Sequence, residues 1–516
     1  MHDIEPNKKL FDIEIYSHYF VAKNVTPRGE QILNGFARRY IQFGLVKVGR
    51  MFKRMPVKVF ASKVVPKKHF RFHYGQYDKF IEYLTYENNL GVGDYSLAKV
   101  GMYPVKPLDA LVQEGWEARD YQIPVIEYMH CPEPSHKKLV QLQAGKGKTF
   151  SALAALVKLN VRVMVFLKPQ FIVKWIADFK KTITVTEEDI CVVQGSSQLM
   201  KLITEAKDGE LKYKVIIISN RTFQNWITAY EQNGDKLQDS GYDCNPEDLM
   251  PLCQVGQRLV DEVHMDFHLN FKIDLYTHVS WSNSLSATLL SDDKFIAEMQ
   301  YIAYPQEMRY KGMEFDRYVD TTALLYELAD THGIRYTAIG SKNYSHIEYE
   351  KNFYRNRKLM IDYLTMIGDQ VQKYYIEHRK PGDRCLVYGA SIQFCTTLSE
   401  YLKKRFSNID VRRYVEDDPY ENLMEAEISV STVLSAGTGH DIAGLITVIL
   451  TVAISSSASN IQGFGRLRNL GDKPTRFIYF TCKDISKQVE YFEKKERLLC
   501  LLAKSTDTAT IHTPIG

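Results

Sequence analysis

What this sequence lacks narrows its nature before any motif is considered. No apolar run reaches the roughly 18 residues that a membrane-crossing helix requires, so no membrane span is expected. The start, Met-His-Asp-Ile-Glu, has no basic opening followed by an apolar core, so no secretory leader is expected either. Eight cysteines stand at 131, 191, 244, 253, 385, 395, 482 and 500, and no two share Cys-x-x-Cys spacing. Zinc ribbons and disulfide scaffolds therefore have no support, and a reducing cytosol is the expected setting. No nuclease or methyltransferase constellation is evident. What remains is ordinary globular material, 45% hydrophobic and 25% charged. A chain of 516 residues has room for roughly three or four domains.

The net charge of +4 conceals an asymmetry. Residues 1–80 hold 16 Lys and Arg against 6 Asp and Glu, whereas the rest of the chain is mildly acidic. A basic front end suggests a polyanion partner, although basic surface also serves plain solvation. Within it, Phe70-Arg71-Phe72-His73-Tyr74-Gly75-Gln76-Tyr77-Asp78 alternates rings with basic or polar groups. Two readings stand: rings that stack on bases while Arg71 holds a phosphate, or a half-buried strand whose rings face a core. Residues 1–95 are expected to form a small α+β nucleic-acid-binding domain, closed by a linker rich in glycine and proline. Residues 230–253 are polar and expected to be a looped insertion.

The densest chemistry lies at Gln143-Ala144-Gly145-Lys146-Gly147-Lys148-Thr149, between a strand-like run and an Ala-rich helix. Strand, glycine-bearing turn, Gly-Lys-Thr and helix are the parts of a phosphate-binding loop. Gly145, Lys146 and Gly147 would turn backbone N–H groups inward, Lys148 would reach the outer phosphates, and Thr149 would hold a magnesium ion. Leu142 stands where such loops usually carry glycine or alanine. Upstream, Tyr121 and Gln122 are placed to pack on and pair with adenine.

Downstream, Leu259-Val260-Asp261-Glu262-Val263-His264 is an apolar strand ending in two carboxylates. Asp261 would hold magnesium and Glu262 would polarise a water. Lys168 and Pro169 follow one strand-like run, and Ser219 to Thr222 another. At such carboxyl ends they fit either backbone contacts to nucleic acid or helix capping.

The order of these pieces resembles superfamily 2 helicases of the Asp-Glu-x-His type. Gln122 resembles the adenine motif, Gly145 to Thr149 motif I, Asp261 to His264 motif II, and Ser286-Ala287-Thr288 motif III. Further on, Arg384 to Ser391 resembles motif IV. Thr432 ends a strand before Ser435 to Ile442, which resembles motif V and includes Gly439 and Asp441. Asn460 to Arg468 resembles motif VI, with Gln462, Arg466 and Arg468; its second arginine stands one position early, with Asn469 in the usual place.

The resemblance implies an α/β fold of two tandem RecA-like parallel-sheet domains with ATP and Mg2+ between them. The expected layout is 96–295 for the first such domain, 296–345 as a connection, 346–487 for the second and 488–516 as a helix and frayed tail. The Phe70 to Asp78 segment is similar to part of the N-terminal domain of UvsW-like phage recombination helicases. That likeness implies an ATP-driven motor on branched or forked DNA. It would act as a monomer in the cytoplasm of a phage's host, alongside replication or recombination proteins. Lys168, Pro169, Thr222, Ser391, Thr432 and Arg71 would contact the nucleic acid. An RNA helicase, or a translocase subunit of a larger complex, remains open as an alternative.

Overall fold

The computed structural model describes residues 9–516 except 50, 144, 288, 290, 311–315, 338–342 and 437–441. The chain forms two compact units. The first holds residues to Leu142, Lys146–Leu289 and Asp293–Met313; the second holds Glu314–Gly516 and two short pieces, Gln143–Gly145 and Leu290–Asp292.

The first unit opens with β1 (Phe11–Ile15), β2 (Tyr19–Lys23), β3 (Ile41–Val48), β4 (Met51–Val59), β5 (Ser62–Val64), β6 (His69–His73) and β7 (Tyr95–Lys99). Five of them form a mixed sheet in the order β5-β6-β2-β1-β7, while β3 and β4 pair only with each other. A helix over Pro27–Arg38 covers the mixed sheet. Thr26 caps it by accepting from the Gly29 N–H, Pro27 opens it without wasting a donor, and Ile32, Leu33 and Phe36 form its buried stripe. Strand β7 pairs in parallel with β1, which carries this sheet to Lys99, past the expected boundary at 95.

Burial decides between the two readings of the Phe70 to Asp78 segment. Phe70, Phe72 and His73 are core residues, and Arg71 is only 1% exposed. Arg71 donates to Glu247 Oε1 at 2.7 Å and to the Leu275 carbonyl at 3.2 Å, with its guanidinium over the Tyr276 ring. Its expected phosphate contact is therefore corrected: Arg71 is an internal tie. Its partner Glu247 comes from the segment expected to be a loop. That segment instead finishes a helix over Asn220–Asn233 and forms short helical turns, with Tyr230, Leu249, Met250 and Cys253 buried.

The rest of the first unit is built on β8 (Lys137–Gln141), β9 (Val163–Leu167), β10 (Ile190–Val193), β11 (Val215–Ser219), β12 (Gln257–Val260) and β13 (Trp281–Ser286). They form one parallel sheet in the order β10-β11-β9-β12-β13-β8. The continuous apolar runs of β9 and β11 are fully buried, as central parallel strands require. A buried ionic knot ties this sheet to the mixed one. Asp274 accepts from Lys137 on β8 at 2.8 Å and from Arg258 on β12, and Lys137 also meets His73 on β6 at 2.8 Å. Burial, reinforced by Lys137 and Arg258, pushes His73 well below its usual pKa, so it is neutral. Its Nδ1 accepts from the Gly75 N–H at 3.1 Å, so its Nε2 carries the proton and faces Lys137, whose own pKa burial and Arg258 lower.

The second unit comprises β14 (Val319–Tyr326), β15 (Arg384–Gly389), β16 (Val411–Tyr414), β17 (Ile428–Thr432), β18 (Leu445–Leu450), β19 (Thr475–Cys482) and β20 (Ser505–Thr510). They form a second sheet, again parallel, in the order β16-β17-β15-β18-β19-β14-β20. The expected fold class, two tandem parallel-sheet domains behind a small α+β element, is what the chain adopts. Two boundaries move. Residues 296–345 are not merely a connection, because they supply β14 between β19 and β20. The Thr-rich end is not frayed either: β20 hydrogen-bonds to β14 along its length.

Lys495 illustrates the electrostatics of this core. It lies on the helix over Ser486–Leu499, is 3% exposed, and sits 4.7 Å from the centre of the Tyr479 ring. Burial lowers its pKa from 10.5 to about 7. Unfolding therefore takes up a proton between those values. Its contribution is complete above pH 10.5 and is lost as pH falls through about 7. Lys495→Met should raise the unfolding temperature at pH 7 by several degrees and flatten its rise toward pH 10.5, checked by calorimetry across that range. An unaltered pH profile would show that Lys495 stays charged in the folded protein.

Candidate functional site

The parallel sheet of the first unit brings the ends of β8, β13 and β12 side by side, in that order. The phosphate-loop sequence follows β8, Ser286 ends β13, and Asp261 follows β12. Hydrogen bonding in a parallel sheet obliges these carboxyl ends to share one edge, where ligands of open α/β sheets bind. Residues separated by more than a hundred positions in sequence thus become neighbours.

After β8 the backbone turns through Gly145 and Gly147, with φ of 84° and 74°. A side chain is strained there, and a Cβ on Gly147 would lie 2.2 Å from Gln122 Nε2. The helix then starts at Lys148 and runs to Leu159, with Thr149 in its first turn. Lys148 Nζ donates across the loop to the Leu142 carbonyl at 3.2 Å. Leu142 itself is fully buried, which is why a large residue is accommodated at that position. Gln122 is 5% exposed and braces the loop: it accepts from the Arg119 N–H at 3.0 Å and donates to the Lys146 carbonyl at 3.2 Å. Tyr121 packs its ring under Lys146 Nζ at 5.2 Å. Both residues expected to read adenine are therefore at the phosphate loop, and Gln122 also shapes it.

The two carboxylates after β12 differ sharply. Asp261 accepts from Trp175 Nε1 at 2.9 Å and from the Glu262 N–H at 2.9 Å. Burial raises its pKa and the Glu262 charge adds to this, while Lys148 and the Trp175 hydrogen bond oppose it. Glu262 adopts a left-handed backbone, φ 48°, a conformation costing a non-glycine residue about 1–2 kcal/mol. Its Oε2 is buried without a hydrogen-bond partner among the described residues. His264 Nδ1 bonds Ser286 Oγ at 2.8 Å and stands 3.3 Å from Glu262 Oε2. That distance would suit an ion pair, but burial and Lys148 push His264 down to about 4. At neutral pH it is uncharged, and it links the end of β12 to the end of β13 as a neutral hydrogen-bonding group.

Trp175 escaped the sequence reading because its place on the apolar stripe of the helix over Ile172–Thr182 looked like pure core. The available signal was chemical: a buried indole N–H almost always has a partner. Among the expected nucleic-acid contacts of this unit, Lys168 pairs with Asp266 at 2.8 Å and Pro169 is exposed. Thr222 Oγ1 accepts from the Gly195 N–H at 2.8 Å and serves as a local brace.

In the second unit, Ser391 caps the helix over Ile392–Arg405 by accepting from the Phe394 N–H. It also donates its hydroxyl to Glu350 at 2.6 Å. Glu350 is 1% exposed, and burial raises its pKa to about 7 despite the opposing hydrogen bonds from Ser391 and Ala390. Thr432 is occupied by Ser435, whose N–H and hydroxyl lie 3.1 and 2.8 Å from its Oγ1. Gln462 lies on the helix over Ser457–Phe464. Arg466 follows that helix, is 5% exposed and lies near Tyr388, whose hydroxyl donates to the Ala436 carbonyl at 3.2 Å. Arg468 turns back to the Gly465 carbonyl. Gly439 and Asp441 lie outside the described residues.

No family model and no curated protein matches this chain. Solved structures do resemble it. Dbp5 of S. cerevisiae, bound to RNA and ADP BeF3, is 10% identical with a TM-score of 0.49, covering 77% of this chain and 91% of its own. Mss116p bound to ssRNA and AMP-PNP is 15% identical with a TM-score of 0.48, covering 79% and 82%. The Pyrococcus furiosus Hef helicase domain is 12% identical with a TM-score of 0.42, covering 73% and 98%. The chemistry of the site has to be read from its own residues.

Those residues suit a triphosphate and a divalent cation. Glycine turns open the backbone, Lys148 and a helix N-terminus supply positive charge, and Asp261 is held by a donor that leaves lone pairs free for a metal. Trp175 is thus a positioning residue for Asp261. Trp175→Phe keeps the buried ring and removes the donor. It should weaken the Mg2+ dependence of nucleotide binding about tenfold, the scale of a hydrogen bond to a charged group, with little change in unfolding temperature. Titration of Mg2+ at fixed ATP checks this, and an unchanged Mg2+ dependence would make Trp175 a core residue only.

Proposed function

We propose that this chain is a nucleic-acid-dependent ATPase of the superfamily 2 helicase type, working on branched or forked DNA. The observation that carries the reading is the meeting of Lys148, Asp261, Glu262 and the His264–Ser286 link at adjacent ends of one parallel sheet. A chain folded for another purpose has little reason to place an unsatisfied, strained carboxylate beside a glycine loop and its lysine. The second parallel-sheet unit, with Gln462, Arg466 and Arg468 after β18, accords with the same reading.

Bound ATP with Mg2+ would supply the phosphoryl group whose transfer to water releases energy. Lys148 and the loop N–H groups would bind the outer phosphates, and Thr149 and Asp261 would hold the cation. The unpartnered Oε2 of Glu262 is the group that would orient a water and receive its hydrogen bond. Neutral His264 would report the state of this carboxylate to Ser286, and so to the polypeptide following β13. Arg466 is assigned the cation that stabilises charge developing on the transferring phosphoryl group. Backbone contacts from strand ends, independent of base sequence, would let such an enzyme move along a strand. The DNA branch preference and a phage-type role in replication, recombination and repair rest on the UvsW-like resemblance of the front end. In this chain Phe70 to His73 and Gln76 of the quoted segment are buried, while Tyr74, Gly75 and Asp78 are exposed.

Lys148→Ala and Glu262→Gln should each abolish turnover, with ATP binding weakened in the first and retained in the second. Arg466→Ala should retain binding and lower hydrolysis by about three orders of magnitude or more. Phosphate release measured with single-stranded, forked and four-way DNA and with matched RNA checks all three. Stimulation by RNA alone would transfer the enzyme to RNA, and full activity in Glu262→Gln would overturn the site. Displacement of a labelled strand distinguishes a helicase from a translocase subunit.

A further inference from the structure

Seven basic residues of the front end are paired with carboxylates of the same unit. Lys23 pairs with Glu14, Arg39 with Glu87, Lys63 and Lys68 with Glu30, Lys67 with Asp235, Arg71 with Glu247 and Lys79 with Glu298. The ribbon made of β3 and β4 stands apart by its run of cations. From residue 31 to residue 77 the chain has 11 basic residues and not one acidic residue, and five of the basic ones lie between residues 41 and 59. No acidic side chain lies within ion-pair distance of Lys53, Arg54 or Lys58 among the described residues; Arg54 lies over the ring of Phe43 instead, at 5.4 Å.

The ribbon is also unusually bare. Neither strand pairs with a third among the described residues. Its strands have eight and nine residues, a length of roughly 25–30 Å at about 3.3 Å per residue. Phe43, Leu45, Met51, Phe52, Met55 and Val57 are all exposed, Leu45 at 73% and Phe52 at 58%. The register puts Leu45 opposite Arg54 and Val46 opposite Lys53, so each face mixes apolar groups with cations. A free two-stranded ribbon of this kind is only marginally stable in water. It is held at its base, where Gln42 Nε2 bonds Asp293 at 2.5 Å and the next residue, Phe60, packs on Phe271.

We propose that the β3–β4 ribbon is a nucleic-acid-binding arm that lies in the groove of a duplex. This rests on the ATPase reading above and adds the duplex to its substrate. Charge complementarity selects the occupant: a ribbon whose own strands carry cations and no carboxylate matches a continuous line of phosphates. Shape agrees, because the major groove of B-form DNA, about 12 Å wide, admits a two-stranded ribbon. Lys53, Arg54 and Lys58 contact the phosphates flanking the groove. Phe43, Leu45 and Phe52 meet base edges and are placed to wedge against an unstacked step where a duplex opens.

The full-length chain is compared with Lys53→Ala/Arg54→Ala/Lys58→Ala and with Phe43→Ser/Leu45→Ser/Phe52→Ser. Binding to a labelled duplex and to a single strand of equal length is followed by anisotropy across a salt series. The charge variant should lose about tenfold or more in duplex affinity at ~0.1 M salt, and its salt slope should fall by about 2–3, as expected for the loss of three phosphate contacts. ATP hydrolysis without nucleic acid should be unchanged in both variants, which confirms their folding. The apolar variant should keep the salt slope and lose strand displacement. Duplex affinity and slope equal to wild type in the charge variant would overturn the arm while leaving the ATPase reading intact. A wild-type chain that binds no nucleic acid would overturn both. Capture of phosphatidylserine vesicles, or self-association, that is lost in the variants while duplex binding is kept would assign the ribbon to a membrane or to a second copy of the chain.

Discussion

The constraint on which the first unit depends is the common polarity of its central sheet. Because β8, β13 and β12 run parallel, their hydrogen bonds place the phosphate loop, Ser286 and the Asp261–Glu262 pair along one edge. Apolar strands fill the interior, and the polar chemistry is expelled to the strand ends. A parallel sheet also makes those ends expensive to leave unsupported. Trp175, Gln122 and His264 meet that need, each reaching from a neighbouring helix or loop to hold one polar group in place.

The small mixed sheet is not a loosely attached appendage. Asp274, buried with Lys137 and Arg258, reaches His73 through the lysine, so the front sheet and the parallel sheet share one ionic knot. Buried ion pairs add little net stability, but removing one member leaves an uncompensated charge and costs about 3–5 kcal/mol. Arg71 and Glu247 repeat the device a few residues away. The β3–β4 ribbon joins this body at its base, through Gln42 on Asp293 and Phe60 on Phe271.

Much of the site was legible in the chain because its chemistry is local. A glycine loop needs glycines at the turn itself, and Lys148 and Thr149 must follow at once to sit at the helix start. Asp261 and Glu262 must end an apolar strand. The strands at Arg384–Gly389 and Ile428–Thr432 were visible for the same reason, as short apolar runs bounded by polar residues. Harder to see were β14, read as part of a connection, and β20, read as a frayed tail. Thr-rich and tyrosine-rich segments lack the apolar signature of a strand and become strands only because a sheet edge receives them. The segment around Arg71 failed in the opposite sense: alternation of rings and cations is the same for a surface that stacks on bases and for a strand whose cation finds a buried carboxylate.

The amino-acid sequence alone settled the kinds of chemistry present and their order along the chain, since backbone turns, capping and strand periodicity are properties of neighbouring residues. Only the tertiary structure decided which charges are spent and which are displayed. Lys67, Lys68 and Arg71 look as available on paper as Lys53, Arg54 and Lys58, yet the first three meet carboxylates contributed by distant segments and the last three do not. A charge pairs with whatever the fold brings within a few ångströms, and that distance is set by packing across the whole unit.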